Sequence, residues 1–313
     1  MGVLQLGDIF TVEGFFEPGT TKLKQFRNTE EVTGGAIMYG LSGVNIELTS
    51  RCQKSCWMCG RRKLEREHPE KCDWGDMPFD MVQNLSEEIP KGVFVQFHWN
   101  GEPLMYPKLL DALTLFRNHH TGLDTNGKLL FEKAYELIGY IDTLTISVIQ
   151  DDPEAVEQFD IVSKFLDLRG DRKPMVIFRI LGDVLTSAWE VLAKHHNCQI
   201  VTRTLHSPDM SKDYEKPVTI PETGVCQEML HKLAIDRFGN VSPCVRYDPD
   251  GVNRLGRVDL CYLGENPDCW GDPNIKEVWY GDKRKEWVKA HMEGRREDVP
   301  LCGGCSYWGV PCG

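Results

Sequence analysis

The strongest constraint on the fold is a regular alternation of two patterns between residues 43 and 204. Short apolar runs typical of β-strands occur at 43–49, 93–99, 121–125, 143–149, 175–180 and 199–204. Amphipathic stretches typical of helices occur between them at 79–89, 108–118, 130–138, 153–168 and 184–195. The alternation predicts an α/β fold with a parallel sheet. A closed eight-fold barrel uses about 250 residues, so we expect a partial (β/α)6, TIM-like barrel. Asp152 is expected to cap the helix at 153–168.

Three motifs come directly after the first three predicted strands. They are Cys52-Gln53-Lys54-Ser55-Cys56-Trp57-Met58-Cys59, Gly101-Glu102-Pro103 and Asn126-Gly127. In parallel α/β sheets and barrels, ligands and catalytic groups lie at the carboxyl ends of the strands. We therefore expect the three motifs to lie together at one rim of the sheet.

The first motif places three thiols in one short loop, spaced CxxxCxxC. Three thiolates on a [4Fe-4S] cluster leave one iron open, and an open iron can bind a substrate or a cofactor. A structural zinc site is the alternative, and it requires four ligands. His68 or Cys72 could complete such a site.

The pattern changes from Cys226 onward. Residues 233–236 and 241–245 flank Phe238-Gly239-Asn240, which predicts a β-hairpin, and 274–292 reads as a helix. A CxxC pair and two distant cysteines form a second candidate metal set: Cys226, Cys244, Cys302 and Cys305. Spacing does not separate zinc from iron–sulfur at this set.

Composition narrows the cellular context and the partners. The formal net charge of −11 over 313 residues argues against binding to nucleic acid or to an anionic membrane. The N-terminus has no signal-peptide pattern, and no apolar run is long enough to span a bilayer. We therefore expect a cytoplasmic protein whose 12 cysteines bind metal or stay reduced. The basic run Arg61-Arg62-Lys63, with Arg66, is expected to be a solvated face.

Taken in order, these motifs resemble those of radical SAM enzymes that carry a C-terminal twitch or SPASM-like extension. Gly256-Arg257-Val258 and the run 275–279 also match the pattern between the C-terminal cysteines. Within the family, Cys-Trp-x-Cys and Phe-His-x-x-Gly-Glu-Pro are similar to the deoxy-scyllo-inosamine dehydrogenase type. This chain differs by a longer N-terminus and by an insertion that carries Cys261 and Cys269, so the substrate does not transfer.

The resemblance implies three regions: an N-terminal extension at 1–42, a radical SAM partial barrel at 43–210 and a twitch-like auxiliary-cluster region at 211–313, built of a β-hairpin plus a helix. It implies a catalytic [4Fe-4S] cluster on Cys52, Cys56 and Cys59, whose open iron binds S-adenosyl-L-methionine. It also implies a second, auxiliary [4Fe-4S] cluster on Cys226, Cys244, Cys302 and Cys305.

The same resemblance suggests cofactor contacts. Met58 is expected near the adenine, and Gly101, Glu102 and Pro103 near the methionine amino group, with a solvated turn as the alternative for Glu102. Asn126 and Ser147 are candidates for contact with the ribose or the methionine carboxylate, although turn or packing roles are equally open.

Three further residues are candidates for the substrate side. Arg179 is a candidate catalytic residue, for substrate contact or proton removal, with a salt-bridged barrel arginine as the alternative. Gln96 and His98 share a strand face and are expected to point into the barrel, where a hydrogen-bonded core histidine is the alternative.

The implied function is reductive cleavage of S-adenosyl-L-methionine to a deoxyadenosyl radical, which takes hydrogen from a substrate. We expect oxidation of a small molecule such as a sugar, cyclitol or nucleotide, with a flavodoxin or ferredoxin as reductant. The alternatives are a peptide-modifying maturase or an epimerase, and a non-catalytic zinc or iron–sulfur protein. For five cysteines the options are a buried thiol, a replacement cluster ligand or a hydrogen donor, and the sequence selects none of these. They are Cys72, Cys198, Cys261, Cys269 and Cys312.

Overall fold

The structure is a computed structural model that describes residues 5–6, 10–11, 40–203, 226–258 and 274–305. Cys261, Cys269 and Cys312 lie outside the described residues. No helix within these ranges is long and apolar enough to cross a membrane.

A mixed sheet of nine strands organises the chain. A separate antiparallel pair comes first, β1 (Gln5–Leu6) with β2 (Phe10–Thr11). The strands of the main sheet are β3 (Gly43–Ile46), β4 (Phe94–Phe97), β5 (His120–Thr125), β6 (Thr143–Ile149), β7 (Met175–Leu181), β8 (Gln199–Arg203), β9 (Lys232–Ile235), β10 (Asn240–Ser242) and β11 (Gly256–Arg257). Strands β3 to β8 are parallel neighbours in chain order, as the predicted six-unit α/β fold requires.

The predicted C-terminal hairpin is present and extends this sheet. Strand β9 pairs in parallel with β3, and β10 returns antiparallel to β9, with β11 outside it. The sheet order is therefore β11-β10-β9-β3-β4-β5-β6-β7-β8. The boundaries proposed at residues 42 and 210 remain predictions.

Helices connect the strands. They are α1 (Gly60–Glu67), α2 (Phe79–Glu88), α3 (Leu109–Leu115), α4 (Ala134–Leu137), α5 (Ala155–Arg169), α6 (Ser187–His196), α7 (Gln227–His231), α8 (Ile275–Trp279) and α9 (Asp282–Met292). The single helix predicted at 274–292 is wrong, because Gly281 adopts an extended backbone with φ −60° and ψ 149° and separates α8 from α9. Asp152 is not the cap of α5, whose N-cap is Glu154; Asp152 instead accepts the backbone N–H of Glu154 at 3.1 Å.

Helix α1 follows the cysteine loop and corrects the interpretation of the basic run. Arg61 is only 6% exposed, and its guanidinium lies 4.1 Å from the ring centroid of Trp74. Arg62 forms an ion pair with Glu65 at 2.6 Å, one turn along the helix. The run is therefore not simply a solvated face.

The two faces of the parallel sheet differ in polarity. One face is mainly apolar and buried, for example at Phe97, Leu123 and Phe178, which belong to the main hydrophobic core. On the other face, Gln96 and Arg179 both contact Asp124. A polar inner face can hold a polar guest, whereas the apolar face packs against the helices.

The C-terminal region shares the core of the barrel. Val241 of β10 and the helix α8 belong to the same apolar cluster as the barrel strands. A smaller cluster of Met229, Trp287, Ala290 and Val299 packs against Cys226 and Cys302. The second cysteine set therefore rests on a small apolar base of its own.

Candidate active site

The cysteine loop and the Gly-Glu-Pro turn lie against each other. The backbone N–H of Glu102 donates to the carbonyl of Arg51 at 2.8 Å. A Cβ atom built on Gly101 would lie 1.8 Å from the carbonyl oxygen of Thr49. Glycine is thus required here by the close approach of two backbones, and the predicted convergence of the first two motifs is observed.

Glu102 connects this turn to the third motif. Its side chain is only 2% exposed. One carboxylate oxygen accepts the Thr125 hydroxyl at 2.7 Å and the Leu104 N–H at 3.2 Å, and the other accepts the Asn126 N–H at 2.8 Å. Burial raises the pKa of Glu102 to about 7 despite these donors. Glu102 is therefore not a solvated turn residue, and one of its roughly four acceptor positions is left for a ligand ammonium.

Asn126 extends the connection back to the cysteines. Its amide nitrogen lies 3.7 Å from the Cys52 sulfur and 3.3 Å from the Gln53 side-chain oxygen. The backbone N–H of Lys54 also points at the Cys52 sulfur, at 3.4 Å. Hydrogen bonds to ligating sulfurs tune the potential of an iron–sulfur cluster, so these donors suit a cluster ligand.

A buried ion pair fixes the middle of the cysteine loop. Lys54 and Asp152 pair directly, and both side chains are only 4% exposed. The carboxylate of Glu154 lies 3.9 Å from the same ammonium. The loop after β3 is thereby held to the loop between β6 and α5.

The strand ends at Asn126 and Ser147 are joined by a residue that the sequence interpretation missed. Gln158 of α5 is completely buried, and its amide donates to the carbonyls of Asn126 at 2.7 Å and Ser147 at 2.9 Å. Two predicted cofactor residues are therefore brought to adjacent strand ends. An uncharged polar residue inside an apolar helical stripe was the available signal.

Asp124 is the second missed residue, and it organises the inner face of the barrel. Its carboxylate accepts from Gln96 at 2.5 Å and from Arg179 at 2.7 Å, and Nδ1 of His98 lies 3.5 Å away. Burial opposes ionisation, but the Arg179 and His98 side chains outweigh it and hold the pKa of Asp124 below its usual value. Gln96 and His98 thus share a face as predicted, and Arg179 is salt-bridged. A lone carboxylate in the middle of a short predicted strand could have identified Asp124.

The N-terminal thiols are partly buried. Burial raises the pKa of Cys52 and of Cys56, and the positive charge of Lys54 partly counters it at Cys56. The Cys59 N–H donates to the Cys56 carbonyl at 3.1 Å, which folds the second half of the loop into a turn. Such thiols ionise readily only beside a cation, and iron would supply that charge.

The C-terminal cysteines influence one another. Burial raises the pKa of Cys302 to about 12, and the negative charges of Cys226 and Cys305 add to the shift. Burial also raises the pKa of Cys244, and Cys226 contributes. Arg246 donates to the Cys305 sulfur at 2.6 Å. Four thiols that influence one another's ionisation, with a cationic donor beside one of them, fit an iron–sulfur cluster.

Neither cysteine set forms a site for a single ion. Within the described ranges, no three His, Cys, Asp or Glu side chains are grouped so that they could hold one metal ion. In a cubane each thiolate binds a different iron, so its ligands are spread more widely than those of one ion.

The remaining described cysteines have local partners. The Cys72 thiol lies 3.7 Å from the His68 carbonyl, and His68 contacts Glu70 at 3.5 Å. The Cys198 thiol lies 3.7 Å from the His196 carbonyl, and burial raises the pKa of Cys198 to about 11. A thiol of that kind behaves as a packing group.

The chain was compared with known proteins. No protein-family model matches it. The S-adenosyl-L-methionine-dependent 2-deoxy-scyllo-inosamine dehydrogenase of Niallia circulans is 23% identical over 274 residues, which cover 85% of this chain and 92% of that protein. The tungsten-containing aldehyde ferredoxin oxidoreductase cofactor-modifying protein of Pyrococcus furiosus is 31% identical over 93 residues, 28% of this chain and 24% of that protein.

The chain shares its fold with solved structures. The crystal structure of BtrN in complex with AdoMet and 2-DOIA matches with a TM-score of 0.50 and 19% identity, over 85% of this chain and 93% of that one. The predicted α/β partial-barrel fold is confirmed. The resemblance to radical SAM enzymes with a twitch- or SPASM-like extension is also confirmed. The relatives support an enzyme and an oxidoreductase, and the substrate is treated below as a proposal.

Gly101→Ala tests the close approach of the two loops. The added methyl group would overlap the Thr49 carbonyl oxygen, at 1.8 Å, so the loops must separate. We expect a loss of at least ~2 kcal/mol of unfolding free energy in chemical denaturation. Gly304→Ala is the control, because nothing lies within 4 Å of its added Cβ. Equal stability of the two variants would contradict the required contact.

Asp152→Leu tests the buried ion pair. It leaves the ammonium of Lys54 with only the more distant Glu154, and removing one partner of a buried pair costs ~3–5 kcal/mol. The double variant Lys54→Met/Asp152→Leu is expected to recover most of that loss, because it removes both charges. Denaturation of the two variants and the wild type measures the difference. If the single variant is as stable as the double variant, the pair does not hold the loop.

Proposed function

We propose that this chain is a radical SAM oxidoreductase that acts on a small molecule. The supporting observation is the hydrogen-bonded network through Glu102 and Asn126, which joins the cysteine loop, the Gly-Glu-Pro turn and the end of β5. Cys52, Cys56 and Cys59 would hold a [4Fe-4S] cluster with S-adenosyl-L-methionine bound to it. When bound, that pair supplies a deoxyadenosyl radical able to take a hydrogen atom from a substrate.

The proposed cofactor contacts follow the rim. Met58 lies in the cysteine loop, and Gly101, Glu102 and Pro103 face that loop across a shared backbone contact. The buried Glu102 carboxylate suits a substituted ammonium, since charge-assisted hydrogen bonds are the stronger kind. Asn126 and Ser147 stand at adjacent strand ends held by Gln158, where they could meet the ribose or the methionine carboxylate.

The inner face of the barrel suits a hydroxyl- or amine-bearing substrate such as a sugar, cyclitol or nucleotide. An alcohol that becomes a carbonyl loses a hydrogen atom, a proton and an electron. The Nδ1–H group of His98 can donate a hydrogen bond to Asp124. This tautomer leaves Nε2 free to accept the hydroxyl proton. Burial lowers the pKa of His98, which favours the neutral ring as the proton acceptor. Arg179 keeps Asp124 ionised and is proposed to contact the substrate.

The second cysteine set is proposed to hold an auxiliary [4Fe-4S] cluster, which would supply an acceptor for the remaining electron. Its four thiolates leave no iron open. A flavodoxin or ferredoxin is the proposed reductant for the first cluster, and a cytoplasmic location remains an expectation.

Iron counting tests the two cluster sites. After anaerobic reconstitution we expect about eight irons per chain. The triple variant Cys52→Ala/Cys56→Ala/Cys59→Ala should retain about four, one cubane on the second set. Cys198→Ala is the matched control and should keep the full number. Complete loss of iron in the triple variant, or about four irons in the wild type, would contradict the assignment.

His98→Gln tests the proton acceptor under dithionite with 2-deoxy-scyllo-inosamine and a panel of sugars, cyclitols and nucleotides. We expect deoxyadenosine to form, while the oxidised product falls by roughly 10²–10⁴-fold. His120→Gln, a change of the exposed residue at the start of β5, should leave both unchanged. No deoxyadenosine from the wild type would exclude the proposed function. A redox-neutral product would instead indicate an epimerase.

A further inference from the structure

A cavity of about 300 Å³ lies between the cysteine-loop side of the barrel and the C-terminal hairpin. Its lining includes Trp99 after β4, Arg61 at the start of α1, and Cys244, Arg246 and Tyr247 after β10. The volume is at the lower end of the range for small-molecule sites, about 300–1,000 Å³. The cavity therefore reaches Cys244 of the second cysteine set and Gly60, which directly follows Cys59, and has room for a small metabolite.

The carboxylates around this cavity are engaged by the chain itself. Both oxygens of Asp236 and of Asp248 accept N–H donors from their own turns. Asp73 pairs with Arg237 at 2.7 Å. Glu47 accepts two backbone N–H groups, and burial, with nearby Asp236, raises the pKa of Glu47 to about 7. These contacts leave none of the four carboxylates in an ion pair with Arg61 or Arg246 in the described part of the chain.

Two buried guanidinium groups at the cavity lack a carboxylate partner among the described residues. Arg61, 6% exposed, donates to the Cys52 carbonyl at 3.5 Å, and its Nε has no partner. Arg246, 9% exposed, donates one nitrogen to the Cys305 sulfur, and its other terminal nitrogen has no partner. The Trp74 ring and the Cys305 sulfur compensate these charges only in part, and an oxyanion in the cavity would supply the paired oxygen acceptors that a guanidinium prefers.

An uncharged tyrosine hydroxyl is the third candidate ligand-binding group at the cavity. The Tyr247 hydroxyl is buried at the same cavity and has no hydrogen-bond partner among the described residues. A guanidinium presents several N–H donors in a fixed plane that matches the geometry of carboxylate and phosphate oxygens. Tyr247 lines the same cavity, and its hydroxyl can donate to the same ligand.

We propose that this cavity binds an oxyanion, a carboxylate or a phosphate, carried by the small-molecule substrate. Arg61, Arg246 and Tyr247 hold that oxyanion. The inference rests on the proposed function and names the class of substrate that the site accepts. A substrate anchored on Arg246 lies beside the second cysteine set, next to the proposed electron acceptor.

Calorimetry of the reconstituted holoenzyme tests the site. Inorganic phosphate and acetate are titrated at constant ionic strength, with S-adenosyl-L-methionine saturating. We expect at least one of the two to bind the wild type. Arg61→Gln and Arg246→Gln are each expected to weaken that binding by about tenfold, ~1.4 kcal/mol.

Two further variants keep the test decisive if Arg246→Gln loses iron or unfolds. Tyr247→Phe removes one hydroxyl, and about a threefold weaker binding is expected with unchanged iron content and circular dichroism. Arg295→Gln is the charge-matched control, because Arg295 pairs on the surface with Glu293 and Asp298 and does not line the cavity. It should bind as the wild type does.

The outcomes separate this inference from the proposed function. No millimolar binding of either anion to the wild type overturns the inference, as does unchanged binding in both Arg61→Gln and Tyr247→Phe. Anion binding that is seen only without S-adenosyl-L-methionine assigns the position to the cofactor's own carboxylate and overturns the substrate assignment. Deoxyadenosine formation without anion binding leaves the proposed function standing alone. Anion binding without deoxyadenosine refutes that function and leaves the oxyanion site.

Discussion

The buried carboxylate of Glu102 is the interaction on which the rest of the rim depends. Its backbone N–H reaches the cysteine loop at Arg51, while its side chain accepts from Thr125 and Asn126 at the end of β5. Burying a carboxylate is costly unless several donors meet it. Here one residue uses its backbone and its side chain to connect three loops, and the donors that its carboxylate meets offset part of the cost of desolvation.

The sheet that carries this rim has two faces of different polarity. The outer face packs apolar side chains against helices, and the inner face carries Gln96, Asp124 and Arg179 in mutual contact. The buried pair of Lys54 and Asp152 repeats the same principle at the cysteine loop. In each case a charge is tolerated in the interior because another charge or a fixed donor meets it. Arg61 and Arg246 differ in that neither has a carboxylate partner among the described residues.

Much of the fold follows from local patterns. Strand β6 matches the predicted 143–149 because its apolar alternation is uninterrupted, and the rim motifs converge because parallel strands end at one edge. Helix α1 was missed because Gly60–Glu67 is almost entirely polar and shows no apolar stripe.

The site residues that the sequence did not identify were missed for one physical reason. Lys54 meets Asp152, 98 residues away, and Gln158 reaches carbonyls on two strands. Such partners are brought together by packing, and no short pattern in the sequence encodes them. The split of 274–292 depended on one glycine whose backbone conformation is set by its surroundings.

The parallel pairing of β3 with β9 has a consequence for folding during synthesis. Ser42, beside β3, hydrogen-bonds to the carbonyl of His231, 189 residues further along the chain. The first strand of the barrel thus leaves the ribosome long before its outer neighbour exists, and one of its edges stays open meanwhile. Open strand edges invite pairing with other chains, and long-range pairings form slowly. A nascent chain of this protein is therefore most exposed to association, and most in need of chaperones, until its C-terminal hairpin has been made.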